Sequence, residues 1–492
     1  VLELQFANKK RGILLDFSLN IGYNDPMTYF YTSVDRYKND ILLRGWRDGS
    51  PVKKKIRFQP TLYCQSKNPS RWTSLDEMNV EPIKMDSMYD SKSFLDQYKD
   101  IDGFKVYGNT NYVVQYITET WPKEIQFDYS QINILNIDIE VASDEGFPEP
   151  EQANHEVISI AVKSSKNENF IVWALQPFDV SKSQYDNVDF RLCKDEKHLL
   201  QEFMLYWVRN YPDIVTGWNV RMFDMPYLIN RAIKMFGNKI ANKFSPWDLI
   251  SQREVRYKNK SVTIYDMTGI SQMDYFDLFQ KFGYSYGPQE SYALNHIAYV
   301  VLGERKLSYE EYGNLYTLYK EDHQKFIDYN IRDVDLVDRI DDKTGLMSLA
   351  LTMAYKAGVN YNDTLGTTAI WDSIIYRYLT ERNVAIWPNV QKPKTEYPGG
   401  FVKEPQVGRH DWVCSFDLNS LYPNLIIQYN MSPETIVNDK WNNKATVAEC
   451  MNGMTNDTEY AMAANGVYFR KDRLGVLPAI VEQMYNERVT IK

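Results

Sequence analysis

The chain has 492 residues, enough at roughly 100–200 residues per domain for two to four domains with real cores, and its 44% hydrophobic and 25% charged content is that of an ordinary globular protein. With 56 Lys+Arg against 65 Asp+Glu, the net charge of −9 argues against a protein that coats nucleic acid through an overall basic surface, but it permits a local basic channel beside clustered acids. Four scattered cysteines (Cys64, Cys193, Cys414, Cys450) without a C-x-x-C pair argue against a disulfide framework or zinc ribbon, and no apolar run nears the ~18 residues of a membrane span, so a reducing, cytoplasmic setting is expected.

Residues 1 to 131 read as β-rich. VKKKIRFQPTLYCQ (52–65) and YVVQYIT (112–118), rich in apolar and β-branched residues, predict strands. The run Lys53, Lys54, Lys55 and Arg57 offers phosphate contacts, but it reads first as a solvated strand face guarded by lysines. From 132 to 344 strands alternate with helices, an α/β pattern. ILNIDIEV (134–141) and HEVISIAVKSS (155–165) are expected as neighbouring buried strands, and DIVTGW (213–218) as a short one. HLLQEFMLYWVRNY (198–211), PYLINRAIKMFG (226–237, ended by Gly237) and QKFIDYNIRDVDLVDRIDD (324–342) are expected as helices. REVRYKNKSVTIYD (253–266) reads as a polar β-hairpin with a basic tip. Residues 345–388 are expected to be helical, and 389–475 to turn to strands and loops that include WVCSFDLNSLYP (412–423). LPAIVEQMYNERVTIK (477–492) begins like a helix, with Pro478 near its first turn. With no initiator Met and no helix stop at the far end, a fragment or one piece of a split protein is expected.

Chemistry concentrates in three places. On a strand, Asp138 and Glu140 share one face while Ile137, Ile139 and Val141 pack behind them, and two acids there need a cation or another partner. In NVRMFD, Asn219 and Asp224 lead into a helix, where an acid is often only a cap. In YNIRDV, Tyr329 and Asp333 lie i, i+4 on one helix face, as a surface Tyr–Asp pair also would. Each has a bland reading alone. Together, Asp138, Glu140, Asp224 and Asp333 can hold two divalent cations about 4 Å apart around a scissile phosphate, with Tyr329 orienting the attacking water. Hard oxygen ligands point to Mg²⁺ or Mn²⁺, two ions per active site.

D-x-E, N-x-x-x-F-D and Y-x-x-x-D resemble the three exonuclease motifs of the DEDD family in its tyrosine-bearing subtype. SFDLNSLYP (415–423) and YPGG (397–400) resemble the first polymerase motif and the interdomain loop of family B DNA polymerases. With GFPEP (146–150), TGWNV (216–220), GGFVKEP (399–405) and SPET (432–435), the resemblance is to the replicative polymerases of T-even-type bacteriophages. It implies an α/β and α+β multidomain fold: an N-terminal domain (1–131), a ribonuclease H-like 3′→5′ exonuclease domain (132–344), a helical segment returning to the N-terminal domain (345–388), a partial palm (389–475) and the start of a fingers helix (476–492). Asp417 would hold the polymerase metals with the Leu418 carbonyl, and Ser420 and Leu421 would contact the triphosphate of a dNTP. Tyr422 would act as a steric gate under the sugar. Asn219, Phe223, Tyr397, Gly399 and Gly400 would touch DNA, and the hairpin at 253–266 would help move the primer end. Primer-template and single-stranded DNA, a sliding clamp and other replisome proteins, and the cytoplasm of an infected bacterium are likewise implied.

The family's K-x-x-x-N-S-x-Y-G fingers pattern and its D-T-D palm motif do not follow Asp417 in this sequence. One palm aspartate does not hold two metals, so the chain alone is expected not to synthesise DNA without a second polypeptide carrying the C-terminal half. A stand-alone exonuclease and a catalytically idle DNA-binding subunit are the alternatives. The whole SFDLNSLYP motif argues against the first, and four converging acids argue against the second.

Overall fold

The computed structural model describes residues 28–99, 101, 103–143, 146, 148–257, 260–387, 402–437, 459–463 and 467–491. Turn chemistry sets its first sheet. Asp48 and Gly49 both take positive φ (49° and 76°), the two-residue reversal whose twist suits antiparallel strands, and they join Asp40–Arg47 to Ser50–Arg57. Tyr29–Tyr37 completes this three-stranded sheet. The basic run lies on its exposed outer strand, where Lys55 pairs with Asp40 at 3.2 Å and Lys53 donates to the Pro246 carbonyl. The segment 52–65 therefore forms two strands rather than one, because Pro60 precedes Thr61–Gln65, which belongs to a separate five-stranded sheet.

Residues 112–118, expected as a strand, form the helix Tyr112–Thr120. Asn111 caps it by accepting from the Val114 N–H, and Tyr116, Ile117 and the following Trp121 bury against Phe30 and Tyr31 of the first sheet. A local cap and a buried helical face outweigh the β-branched composition. After the helices Leu346–Ala357 and Thr368–Glu381, the chain returns to the N-terminal sheets. Val384–Ala385 pairs with Trp72–Ser74, the Tyr31 hydroxyl donates to the Val359 carbonyl (2.6 Å), and the Tyr355 hydroxyl donates to the Tyr31 carbonyl (2.7 Å).

A six-stranded mixed sheet lies between. Its order is Val188–Leu192, Phe170–Ala174, Val157–Ser164, Ile134–Val141, Ile214–Thr216 and Ser271–Gln272. Leu135, Ile137 and Ile139 of the central strand Ile134–Val141 pack on one side against the helices Glu196–Arg209 and Asp224–Phe236. The other side is covered by the long helix His323–Thr344 through Phe326, Ile327, Ile331 and Val334. Helix and strand expectations in this region hold to within a few residues, and the expected hairpin is Ile250–Tyr257 with Lys260–Met267. Cys64 and Cys193 are buried free thiols, and Cys414 is an exposed one. Among the described residues, no helix is long and apolar enough to cross a membrane.

Gly217, just past the strand Ile214–Thr216, adopts φ 152°, and a Cβ there would sit 2.4 Å from the Ile137 carbonyl oxygen of the central strand. Backbone cannot yield as a flexible side chain can. Gly217→Ala should therefore cost about 3 kcal/mol or more in urea unfolding, and a loss below 1 kcal/mol would contradict this contact.

The first turn of the long helix holds His323, edge-on to Tyr319 (5.4 Å between ring centroids) and stacked on Phe326 (5.7 Å). Burial lowers its imidazole to about 4 from the usual 6.5. The unfolded chain takes up this proton near 6.5 and the folded chain only near 4, so its contribution to stability is lost as pH falls through that window. Between pH 7 and pH 5 the urea midpoint should fall less in His323→Phe than in the native protein. Equal falls would refute the assignment.

Of the strands and loops expected over 389–475, the described residues at 412–419 take the loop form. Residues 402–418 run without regular structure, with Trp412 99% and Phe416 92% exposed. Strands need hydrogen-bonded neighbours and a surface to cover, and among the described residues nothing pairs with this segment. Beyond it, the SPET residues cap the last helix, Val476–Ile491. Glu434 accepts from the Val476 N–H at 2.6 Å, and Ser432 accepts from the Leu477 N–H at 3.3 Å.

Candidate active site

Alternation along the central strand puts Asn136, Asp138 and Glu140 on the face opposite Ile137 and Ile139, beneath the long helix. One turn of that helix brings down Tyr329, Asn330 and Asp333, all buried. Carboxylate oxygens of Asp138, Glu140 and Asp333 lie within 4.8 Å of one another. Asp224 opens its own helix beside this triad, and its Oδ1 accepts from the Ile139 N–H at 3.0 Å, so backbone fixes it between the two strand acids. Three acids from two elements thus cluster, with Asp224 from a third element held beside them.

The loop ahead of Asp224 is shaped by Asp274, which sequence reasoning missed. This buried carboxylate accepts from the Asn219 N–H (2.9 Å), the Arg221 N–H (3.0 Å) and, as a helix cap, the Phe276 N–H (3.0 Å). Asn219 takes φ 72° there, and Phe223 packs its ring on Tyr227 at 5.7 Å. Both are half-buried on the approach to Asp224.

Burial first, and then mutual repulsion, raises the acids. Asp138 stands well above the usual carboxylate range, pushed further by Asp333, Glu140 and Asp224, and Glu140 is raised in the same way, chiefly by Asp333 among its neighbours. Asp224 rises to about 7, mainly from burial. Lys306, the second residue the sequence did not reveal, partly offsets this. Its Nζ lies 2.5 Å from Asp333 Oδ2 and 3.3 Å from the Tyr329 hydroxyl. Burial alone would lower the ammonium, but Asp333, Tyr329 and Asp138 outweigh burial and hold it above its ordinary value. Tyr329 is likewise raised by burial and by Asp333, so its phenol keeps its proton. Asn330, a third addition, donates to Asp138 Oδ2 at 2.6 Å and accepts from Ser159 at 2.7 Å.

The donor set suits a hard divalent cation. Four carboxylates face one ammonium, and Asp333 Oδ1 is buried without a hydrogen-bond partner. A buried lone acceptor among like charges is unfavourable until a cation meets it.

The polymerase residues are arranged differently. Asp417, Leu418 and Tyr422 are exposed and Ser420 is half-buried, and they stand on or beside the short helix Leu421–Gln428, with Asp417 in no cluster of three or more ligand side chains among the described residues. Ser420 holds φ 51° and ψ 47° at the entry to that helix, its carbonyl accepting from the Asn424 N–H at 3.0 Å. Tyr397, Gly399 and Gly400 lie outside the described residues.

Two family models match the chain: DNA polymerase family B, exonuclease domain, over residues 98–297, and DNA polymerase family B over residues 367–492. The DNA-directed DNA polymerase of Escherichia phage RB69 is 32% identical over 494 residues, covering 94% of this chain and 53% of the relative. That of Enterobacteria phage T4 is 30% identical over 492 residues with the same coverage. The DNA polymerase delta catalytic subunit of Plasmodium falciparum is 27% identical over 396 residues, 75% of this chain and 35% of the relative. The chain spans about half the length of the phage relatives it matches.

Proposed function

Because this chain belongs to DNA polymerase family B, we propose that its four clustered carboxylates form a 3′→5′ exonuclease centre that removes nucleotides from a DNA primer end. The convergence of Asp138, Glu140 and Asp333 within 4.8 Å under a protonated tyrosine carries this reading. These three acids and Asp224 would hold Mg²⁺ or Mn²⁺, two ions in the full site, which when bound supply charge for the scissile phosphate and an activated water. The protein's own groups set the geometry. Asn330 fixes the Asp138 carboxylate, the Ile139 N–H fixes Asp224, and Lys306 holds Asp333. The Tyr329 phenol, unable to ionise near neutral pH, donates its proton to orient the water rather than removing one. Attack on phosphorus then breaks the bond to the penultimate 3′ oxygen and releases a nucleoside monophosphate.

The same reading assigns template-directed nucleotidyl transfer to the polymerase portion, with Asp417 and the Leu418 carbonyl at the metals and Ser420, Leu421 and Tyr422 at the incoming dNTP. Asn219, Phe223, Tyr397, Gly399 and Gly400 would contact DNA. Polymerisation is proposed for the whole protein, since this chain spans about half the length of its phage relatives. A sliding clamp as partner and the cytoplasm of an infected bacterium as setting follow from the same reading.

Incubating the 492-residue chain with 3′-tailed single-stranded DNA and Mg²⁺ tests the exonuclease. Stepwise shortening from the 3′ end, abolished by EDTA and by Asp138→Ala, is expected. DNA bound tightly but left intact by the folded protein would favour an idle binding subunit instead.

A further inference from the structure

The turn between the strand Ile214–Thr216 and the helix Asp224–Phe236 is held at its two ends by different groups. At the far end Asp224 already belongs to the helix, and the Ile139 N–H fixes its carboxylate at 3.0 Å. At the near end Asp274, only 1% exposed, gathers the Asn219 and Arg221 N–H groups, and the neighbouring Tyr275 N–H donates to the Gly217 carbonyl at 2.9 Å. Asn219 is the pivot. Its carbonyl accepts from the N–H groups of Met222 (3.2 Å) and Phe223 (3.0 Å), and its φ of 72° lies in the left-handed region. Asparagine enters that region more readily than most residues with a Cβ, yet the conformation persists only where neighbours over-determine it.

Asp274 supplies that constraint. Capping the helix Tyr275–Phe282 needs one acceptor, which an uncharged serine or asparagine provides. A carboxylate offers two oxygens: Oδ1 takes the Asn219 and Phe276 N–H groups, and Oδ2 takes Arg221. Of the loop residues it holds, Arg221 turns its guanidinium to Asp277 at 3.2 Å, and Val220 between them is buried in the core. That leaves the half-buried Asn219 amide as the polar group the loop presents on the approach to Asp224.

Resting on the exonuclease reading above, we propose that Asp274 is a positioning residue for the DNA end. It acts through Asn219, holding that amide toward the terminal nucleotide, while Asp224 and the other metal-binding acids keep their geometry without it.

The test pairs steady-state hydrolysis of 3′-tailed single-stranded DNA in saturating Mg²⁺ with fluorescence anisotropy of the same strand in Ca²⁺, both on the full chain. Asp274→Ser keeps a hydroxyl for the Phe276 cap and gives up both loop contacts. Asp274→Asn, the milder change, keeps the Asn219 contact and sets an amide nitrogen against the Arg221 N–H. KM and the anisotropy Kd should rise about tenfold in the first and about threefold in the second, with kcat held within about twofold. In an Asn219→Gly background, where positive φ is free and the amide is gone, Asp274→Ser should weaken binding no further. Unchanged KM and Kd in the folded variants, a fall in kcat as large as the rise in KM, or a full further loss on top of Asn219→Gly would overturn the proposal. A native chain that binds the strand but never shortens it would sink the exonuclease reading instead, and the anisotropy comparison would still decide the role of Asp274.

Discussion

Asp138→Asn will reduce 3′→5′ hydrolysis on the order of 10³-fold or more and, in EDTA, will raise rather than lower the melting temperature. Both halves of this result come from the same crowding. Desolvation first, and then Asp333, Glu140 and Asp224, hold this partly buried carboxylate well above its normal range, so in the absence of metal its charge is a liability to the fold. Asparagine keeps the shape, and its carbonyl oxygen can still accept from Asn330. Each kcal/mol of relieved repulsion should raise Tm by about 2–4 °C for a domain of this size. Adding Mg²⁺ should stabilise the native protein and have a much smaller effect on the variant. A variant that melts lower in EDTA would show that Asp138 is structural, and one that retains activity would remove it from the centre.

Asp213→Ala will destabilise the protein by about 3–5 kcal/mol without touching the site, as measured by urea unfolding. This buried carboxylate joins the first sheet to the six-stranded sheet. It accepts from Thr32 (2.8 Å), Trp46 (3.1 Å) and the Asn133 N–H (2.9 Å), and it pairs with Arg44 at 3.3 Å. Burial pulls the Arg44 guanidinium down, and Asp213 is the chief charge opposing that pull. Truncation would strand a buried cation and three donors at once. A loss under 1 kcal/mol would mean that water replaces the carboxylate at little cost.

What the sequence revealed and what it hid divide along physical lines. Asp138 with Glu140, and Tyr329 with Asp333, were legible because strand and helix periodicities bring near neighbours to one face. Lys306, Asn330 and Asp274 were not, because nothing local marks a lysine in the loop GERKLSY as the cation that will reach Asp333, 27 positions on. Asp213 hid for the same reason: its partners Thr32 and Trp46 are 181 and 167 residues away. YVVQYIT misled because strand-favouring composition is a weaker influence than the Asn111 cap and a receptive apolar surface. WVCSFDLNS lies in a stretch expected as strands and loops, and among the described residues it is loop, since composition cannot supply the neighbour that a strand requires.

The central strand carries its charges and its core on alternate residues, and neighbours pin it on both sides: Asp138 stands opposite Ala161 of the antiparallel partner, and Asn136 opposite Thr216 of the parallel one. Its information is therefore one of parity. Deleting one residue between Ile134 and Asp138 would exchange even positions for odd, sending carboxylates among Leu199, Phe203 and Leu228 and isoleucines toward Tyr329. Over evolutionary time such a segment can change its letters but not their number, and lineages should differ in length at its flanking loops while keeping these eight positions in step.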